Sequence, residues 1–223
     1  MWFILKSIVN HIILLLPIVV FAQQADTVKP GFFPTGIRVG VDVVAPLYSI
    51  TDNRFSGYEF SADVDFYRYY LTADIGQWER NLKGTDSRYT NSGNYFRAGI
   101  DVNFLKKDPD RNMLFFGFRY GRSVFSEQVE RTVTDPVWGI QSDIQSDAGR
   151  RAGWLEITGG LRVKMYRFIW MGYTVRYKFA LHSNSNDSPD VYDVPGYGGT
   201  FKTTTWGFNY LIMVRIPVRK EKP

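Results

Sequence analysis

From Thr35 onward apolar and polar residues alternate through about eight segments of roughly ten residues each, the length of a strand tilted across a bilayer. Residues 36–44 set Ile37, Val39, Val41 and Val43 against Arg38, Gly40 and Asp42. Residues 58–66 set Tyr58, Phe60, Ala62, Val64 and Phe66 against Glu59, Ser61, Asp63 and Asp65. The same parity runs through 69–80, 95–105, 113–125 and 154–164. It then recurs in two segments whose apolar faces are Ile169 to Phe179 and Trp206 to Ile216, taken at every second residue. The pattern predicts an all-β chain: an eight-stranded antiparallel up-and-down barrel over residues 35–218.

Alternation alone leaves the polarity of such a barrel open. With the apolar set inside, its many rings would have to fill a lumen that eight strands make only just wide enough for packing. The polar faces, in contrast, mix glycine with charges of both signs, which suits a narrow interior. Apolar out and charged in is the membrane arrangement. The joins agree, because short ones at 67–68, 106–112 and 165–167 alternate with long ones at 80–94, 126–151 and 182–203, apart from a brief first loop at 51–54. Tight turns at one end and long loops at the other mark outer-membrane barrels. Aromatic belts are expected at both levels, from Tyr69, Tyr70, Phe104, Tyr166 and Phe168 near the turns and from Tyr58, Trp78, Tyr95, Trp154, Phe179 and Trp206 near the loops. The long stretch 126–151 also leaves room for a hairpin that extends two strands, so ten strands are the alternative.

Composition sharpens this picture. The chain has 223 residues, 17% of them aromatic and 22% charged, with a net charge of +5 and no cysteine. The missing cysteine excludes a disulfide framework, a thiolate metal site, a cysteine nucleophile and a lipoprotein anchor. Of the only two histidines, His11 lies in the N-terminal segment expected to be removed and leaves His182 alone, so a two-imidazole zinc site is excluded too. The cations alternate along strands instead of clustering, so the basic balance does not indicate nucleic acid. Residues 1–22 carry Lys6, an apolar run to Phe21 and a Val20-Phe21-Ala22 ending, and are expected to be a cleaved signal peptide; an uncleaved anchor is the alternative. Residues 23–34 are then a short periplasmic segment and 219–223 a polar periplasmic tail.

Tyr177-Lys178-Phe179, Asp193-Val194-Pro195-Gly196-Tyr197-Gly198, Trp206-Gly207-Phe208-Asn209-Tyr210 and Arg215-Ile216-Pro217 carry a resemblance. The chain resembles the small outer-membrane barrels of the OmpA/OmpX shape, and its last third is similar to an uncharacterised family of such barrels from Bacteroidota-type Gram-negative bacteria. The resemblance implies the bacterial outer membrane, insertion by the barrel-assembly machinery and no known activity. Barrels of that kind usually end on an aromatic residue, whereas this chain continues past Ile216-Pro217 into a charged tail.

Three functional readings follow. Facing inward are Arg38, Asp42, Glu59, Asp63, Asp65, Asp74, Arg97, Asp101, Arg119, Glu156, Arg162, Arg176, Lys178 and Arg215, expected to interlock as a structural ion-pair network. The leading reading is therefore a non-enzymatic barrel with a charge-filled lumen. Its long external loops, with Trp138, Tyr192 and Tyr197 as contact candidates, would meet lipopolysaccharide, a partner protein or a surface. A narrow solute pore through the same lumen is the second reading. The third is a lipid A-modifying hydrolase using His182, near Ser183 and Ser185, although offsets of one and three put these serines on the opposite strand face from the histidine. Neither the glycine-rich stretch 196–202 nor the acids Asp187, Asp190 and Asp193 has the context of a phosphate loop or a calcium loop, so no cofactor or metal is expected.

Overall fold

The computed structural model describes residues 33–105, 108, 110–135, 137–181, 192–199 and 203–218. The proposed signal peptide, the charged tail and His182 lie outside the described residues. Among the described residues the strands are β1 (Pro34–Asp42), β2 (Phe55–Phe66), β3 (Tyr69–Lys83), β4 (Ser87–Asn103), β5 (Met113–Asp135), β6 (Gly139–Tyr166), β7 (Ile169–Ala180), β8 (Asp193–Val194), β9 (Gly198–Gly199) and β10 (Thr204–Pro217), with one helix, α1 (Val44–Thr51). Each barrel strand pairs antiparallel with its sequence neighbour, β7 pairs with β10, and β10 closes on β1 through Gly36 to Asp42. Closure leaves no sheet edge within the eight-stranded ring.

Parity fixes which face is which. On β4, Phe96 and Ile100 point outward at 45% and 47% exposure, while Arg97 and Asp101 between them are buried. The outward set continues around the ring through Val41, Phe60, Leu71, Phe118, Leu155, Tyr173 and Ile212. The barrel is thus inverted relative to a soluble one, with its exposed coat apolar and its interior charged. Among the described residues no helix is long and apolar enough to cross a membrane.

Three expectations change. The stretches 80–94 and 126–151 are not irregular loops: β3 and β4 stay paired up to Lys83 and Arg88, and β5 and β6 up to Asp135 and Gly139, so two hairpins rise beyond the ring. The 28 residues of β6 lengthen existing strands without adding a ninth and tenth to the barrel. Residues 44–51 form a helix over the end of β1, because the Asp42 carboxylate accepts from the amides of Ala45 and Tyr210 at 3.0 and 2.9 Å and so starts the first turn. Of the expected belt aromatics, Tyr70, Tyr95 and Trp154 share the parity of the lumen residues and are buried inside, whereas Tyr58, Tyr69, Phe104, Tyr166, Phe168 and Trp206 remain on the outer surface.

The turn end of the lumen is apolar. Tyr70, Met113 and Phe115 form one buried cluster, and Trp170, Leu211 and Met213 another. Small residues make the interior fit. A Cβ at Gly117 would come within 2.9 Å of the Thr158 hydroxyl, within 2.7 Å of the Ile100 carbonyl, and against the Asp101 carboxylate. Gly117→Val is expected to destabilise the barrel by about 1–3 kcal/mol through overpacking, measured by urea unfolding in detergent or lipid vesicles.

Candidate functional site

Above the apolar floor the lumen holds a chain of charges. Arg38 donates to Asp63 at 2.8 Å, and its guanidinium lies over the rings of Tyr70 and Trp170. Asp63 also accepts from Arg162, which reaches Asp101 at 3.5 Å and covers Phe115. Arg119 links Asp101, at 2.9 Å, to Asp74. Two further arginines share the next layer: Arg176 contacts Asp74, Glu59 and Glu156 at 3.2, 3.5 and 3.0 Å, and Arg97 contacts Glu59 at 2.5 Å and Glu156 at 3.6 Å.

The outer hydrogen-bond capacity of this layer goes to neutral partners. The Tyr95 hydroxyl donates to Glu59 at 2.7 Å and the Trp154 indole to Glu156 at 2.6 Å. Arg176 donates to the Asn209 side-chain oxygen at 2.6 Å. Five guanidiniums (Arg38, Arg97, Arg119, Arg162, Arg176) therefore meet five carboxylates (Glu59, Asp63, Asp74, Asp101, Glu156), none more than 3% exposed. The sum of formal charges is zero. With Asn209 included, every strand of the ring contributes at least one member.

The remaining sequence candidates separate from this network. Asp65 and Arg215 pair at 2.8 Å near the turn end, where Asp65 also accepts from Thr35 and Gly36. Asp42 makes no ion pair among the described residues, because its oxygens hold the backbone amides at the base of α1. Lys178 is not an ion-pair partner either. Its ammonium donates to the carbonyls of Gly196 and Tyr197 at 2.8 and 3.0 Å, so it anchors the segment between β7 and β10.

That anchoring closes the loop end. The β8–β9 hairpin turns into the barrel mouth, where Val194 and Tyr197 pack with Tyr95, Phe125 and Trp154. The Tyr197 ring sits 5.8 Å from the Trp154 ring. Asn91 donates to the Asp193 carbonyl at 2.7 Å, and the Asp193 carboxylate faces Arg80 at 3.3 Å. Tyr197, an expected external contact, is instead 3% exposed, because its ring serves as the stopper. Tyr192 stacks against Tyr89 at 5.1 Å beside the cap. Trp138 stands at the tip of the β5–β6 hairpin with 76% exposure, alongside exposed Val137 and Ile140. The hairpin that 126–151 left room for is present, and its apolar tip is Val137-Trp138 and Ile140 among polar neighbours.

Among the described residues no group of three His, Asp or Glu side chains is placed to hold a metal. Of the acids Asp187, Asp190 and Asp193, the first two fall outside the described residues, and Asp193 is committed to the cap. The arrangement has the chemistry of a lock: its formal charges sum to zero, each of the ten groups faces at least one partner of opposite sign, and the loop end is covered.

Comparison with known proteins places the chain by sequence. The profile of a domain of unknown function, DUF6048, matches residues 4–221. The chain belongs to the DUF6048 family. No curated protein matches it. Two solved structures resemble this DUF6048 member: Ail, the attachment invasion locus protein of Yersinia pestis, alone and in complex with the heparin analogue sucrose octasulfate. Each shows 11% identity and a TM-score of 0.41, covering 82% of this chain and 98% of Ail.

Two outcomes test the lock. Arg119→Met leaves Asp74 only Arg176 close by and Asp101 only Arg162 at 3.5 Å, with one negative charge in excess in a water-poor interior, and is expected to cost about 3–5 kcal/mol, read as a lowered urea midpoint. The cap should respond to pH. Burial pushes the Asp193 carboxyl up to about 6 despite Arg80 and Lys178 beside it. The docked hairpin therefore favours the protonated acid, so its stabilisation is full below the ordinary value of 3.8 and is lost as pH rises through 6. Hydrogen exchange at residues 193–199, corrected for intrinsic rate, is expected to be slower at pH 4 than at pH 7.5, and Asp193→Asn should remove most of that difference.

Proposed function

We infer that this DUF6048 protein is a non-enzymatic outer-membrane barrel with a sealed lumen, displaying its hairpin end at the cell surface for contact with lipopolysaccharide, a partner protein or another surface. The observation that carries the reading is the inverted polarity. A closed ring whose outward residues are apolar on every strand, and whose inward charges cancel, has its lowest free energy when hydrocarbon replaces water around it. Exposed Tyr58 and Trp206 at one level and Tyr69, Tyr166 and Phe168 at the other supply rings suited to the headgroup region. The signal peptide and the barrel-assembly machinery would deliver such a chain.

The β5–β6 hairpin offers a contact surface beyond the ring, because it combines paired-strand scaffolding with exposed apolar residues at Val133, Val137, Trp138, Ile140 and Ile144. The pore reading is disfavoured by the same lumen. Ten mutually paired side chains and the Tyr197 stopper leave no aqueous column for a solute, so purified protein in planar bilayers should show no conductance steps above background. Deletion of the β8–β9 hairpin alone should not open it either.

The membrane reading has its own test. Ile100 stands midway along the outward row of β4, between Phe96 and Phe104. Ile100→Arg is expected to destabilise the barrel in lipid vesicles by about 2–4 kcal/mol, the cost of an arginine at the bilayer midplane. If folding in vesicles is unaffected by that change, the outward face is not meeting hydrocarbon.

A further inference from the structure

A groove of about 740 Å³ runs along the outer face below the hairpins. Phe60, Ile75, Phe96 and Val124 give it an apolar floor, and Arg122 and Arg151 stand at its upper end. The strand register explains why these two cations converge. Arg122 on β5 is opposite Gly153 on β6, and Arg151 is opposite Val124. They are diagonal neighbours on one face, with Cα atoms about 7 Å apart. Gly153 between them contributes no side chain, and the Tyr120 hydroxyl lies over it, a further donor beside the two guanidinium groups.

The local electrostatics are one-sided. Around Arg122 and Arg151 on this face lie Asn94, Phe96, Tyr120, Val124, Gly153 and Leu155, none of them acidic. Among the described residues neither arginine forms an ion pair, in contrast to the five ion-paired arginines of the lumen. Two uncompensated guanidiniums at the edge of an apolar surface attract an anion that carries its own hydrocarbon. Guanidinium groups suit phosphate in particular, because their paired N–H donors match its oxygens.

We propose that Arg122 and Arg151 clamp the phosphate of a lipid A-type glycolipid in the outer leaflet, with an acyl chain lying along Phe60, Ile75, Phe96 and Val124. This site rests on the outer-membrane reading and deepens it, since it assigns the lipid contact to the flank of the barrel instead of to the hairpin tips. It also fixes rotation: a lipid held on the β2–β6 side leaves the β7–β10 and β1 side free.

The test compares wild-type protein with the Arg122→Ser/Arg151→Ser double variant, each folded into phosphatidylcholine vesicles doped with lipid A and then transferred to detergent for native mass spectrometry. Wild type is expected to retain one lipid A per barrel, and the double variant to lose occupancy by about tenfold or more. Lipid A stripped of its phosphates should be retained by wild type no better than phosphatidylcholine. Equal retention by wild type and variant, or equal retention of the dephosphorylated lipid, overturns the clamp. Heat-modifiable gel mobility of the same samples reports folding separately. A wild type that never folds into vesicles overturns the outer-membrane reading itself, whereas a folded wild type without bound lipid A overturns only this site. The single substitutions Arg122→Gln and Arg151→Gln, both on the exposed face, should each lower retention and guard against a folding defect in the double variant.

Discussion

The five-to-five pairing of guanidiniums and carboxylates inside the ring is the constraint on which the rest depends. Each of those charges is almost fully enclosed, and an enclosed charge without a partner costs several kcal/mol. The chain from Arg38 through Asp63, Arg162, Asp101, Arg119 and Asp74 to Arg97, Arg176, Glu59 and Glu156 satisfies them together, and only in one strand register. A slip of one residue on any strand would send its charged members to the outer face and its apolar members inward. The network therefore specifies the register as much as it stabilises the ring. A non-polar core of equal volume would be at least as stable in many settings, so specificity is the better reason for its presence here.

The two ends are finished differently, and the difference follows from what each must exclude. At the turn end, Met113, Phe115, Trp170, Leu211 and Met213 fill the lumen with apolar volume, and Arg38 makes the transition by lying over Tyr70 and Trp170. At the hairpin end only β3 to β6 continue, paired with one another, and they leave the mouth unfilled. The β8–β9 segment fills it instead, with Tyr197 against Trp154 and with Lys178 holding its carbonyls. Asp193 gives this cap a titratable anchor, facing Arg80 above the ion-paired acids of the lumen. The two proposed contact surfaces then lie outside the ring: a hairpin tip carrying Trp138, and a flank carrying Arg122 and Arg151.

The barrel was legible in the sequence because parity is a strong signal where one face meets apolar surroundings and the other meets charge. The signal vanished where that contrast vanished. In the hairpins beyond the ring both faces meet water, so residues such as Asn81, Thr90, Gln141 and Ser142 keep no apolar alternation and read as loop, although their backbones stay paired. In the lower lumen the opposite occurs. Leu211-Ile212-Met213-Val214 and Met113-Leu114-Phe115-Phe116 are apolar on both faces, and that unbroken run was the available sign of an apolar floor. The inward set followed from parity, but the exceptions did not. Asp42 and Lys178 share the lumen parity, yet each bonds to backbone groups that exist only because α1 starts at Val44 and residues 193–199 turn inward. Tyr95 and Trp154 were misplaced for a related reason: an aromatic near a strand end suits a belt or a lumen equally, and only counting from Arg97 and Glu156 decides between them.

The central claim is that hydrocarbon surrounds this ring and water does not fill it. The chain contains no cysteine, so single cysteines can be spin-labelled without background. The most direct measurement is electron paramagnetic resonance accessibility along β3 in lipid vesicles, with labels at Leu71, Thr72, Ala73 and Ile75, read against apolar oxygen and a water-soluble nickel chelate. The account predicts high oxygen and low nickel accessibility at 71, 73 and 75, and low accessibility to both at 72, where Thr72 points into the packed lumen. High nickel accessibility at 71, 73 and 75 would contradict the membrane-facing coat, and high nickel accessibility at 72 would contradict the sealed interior.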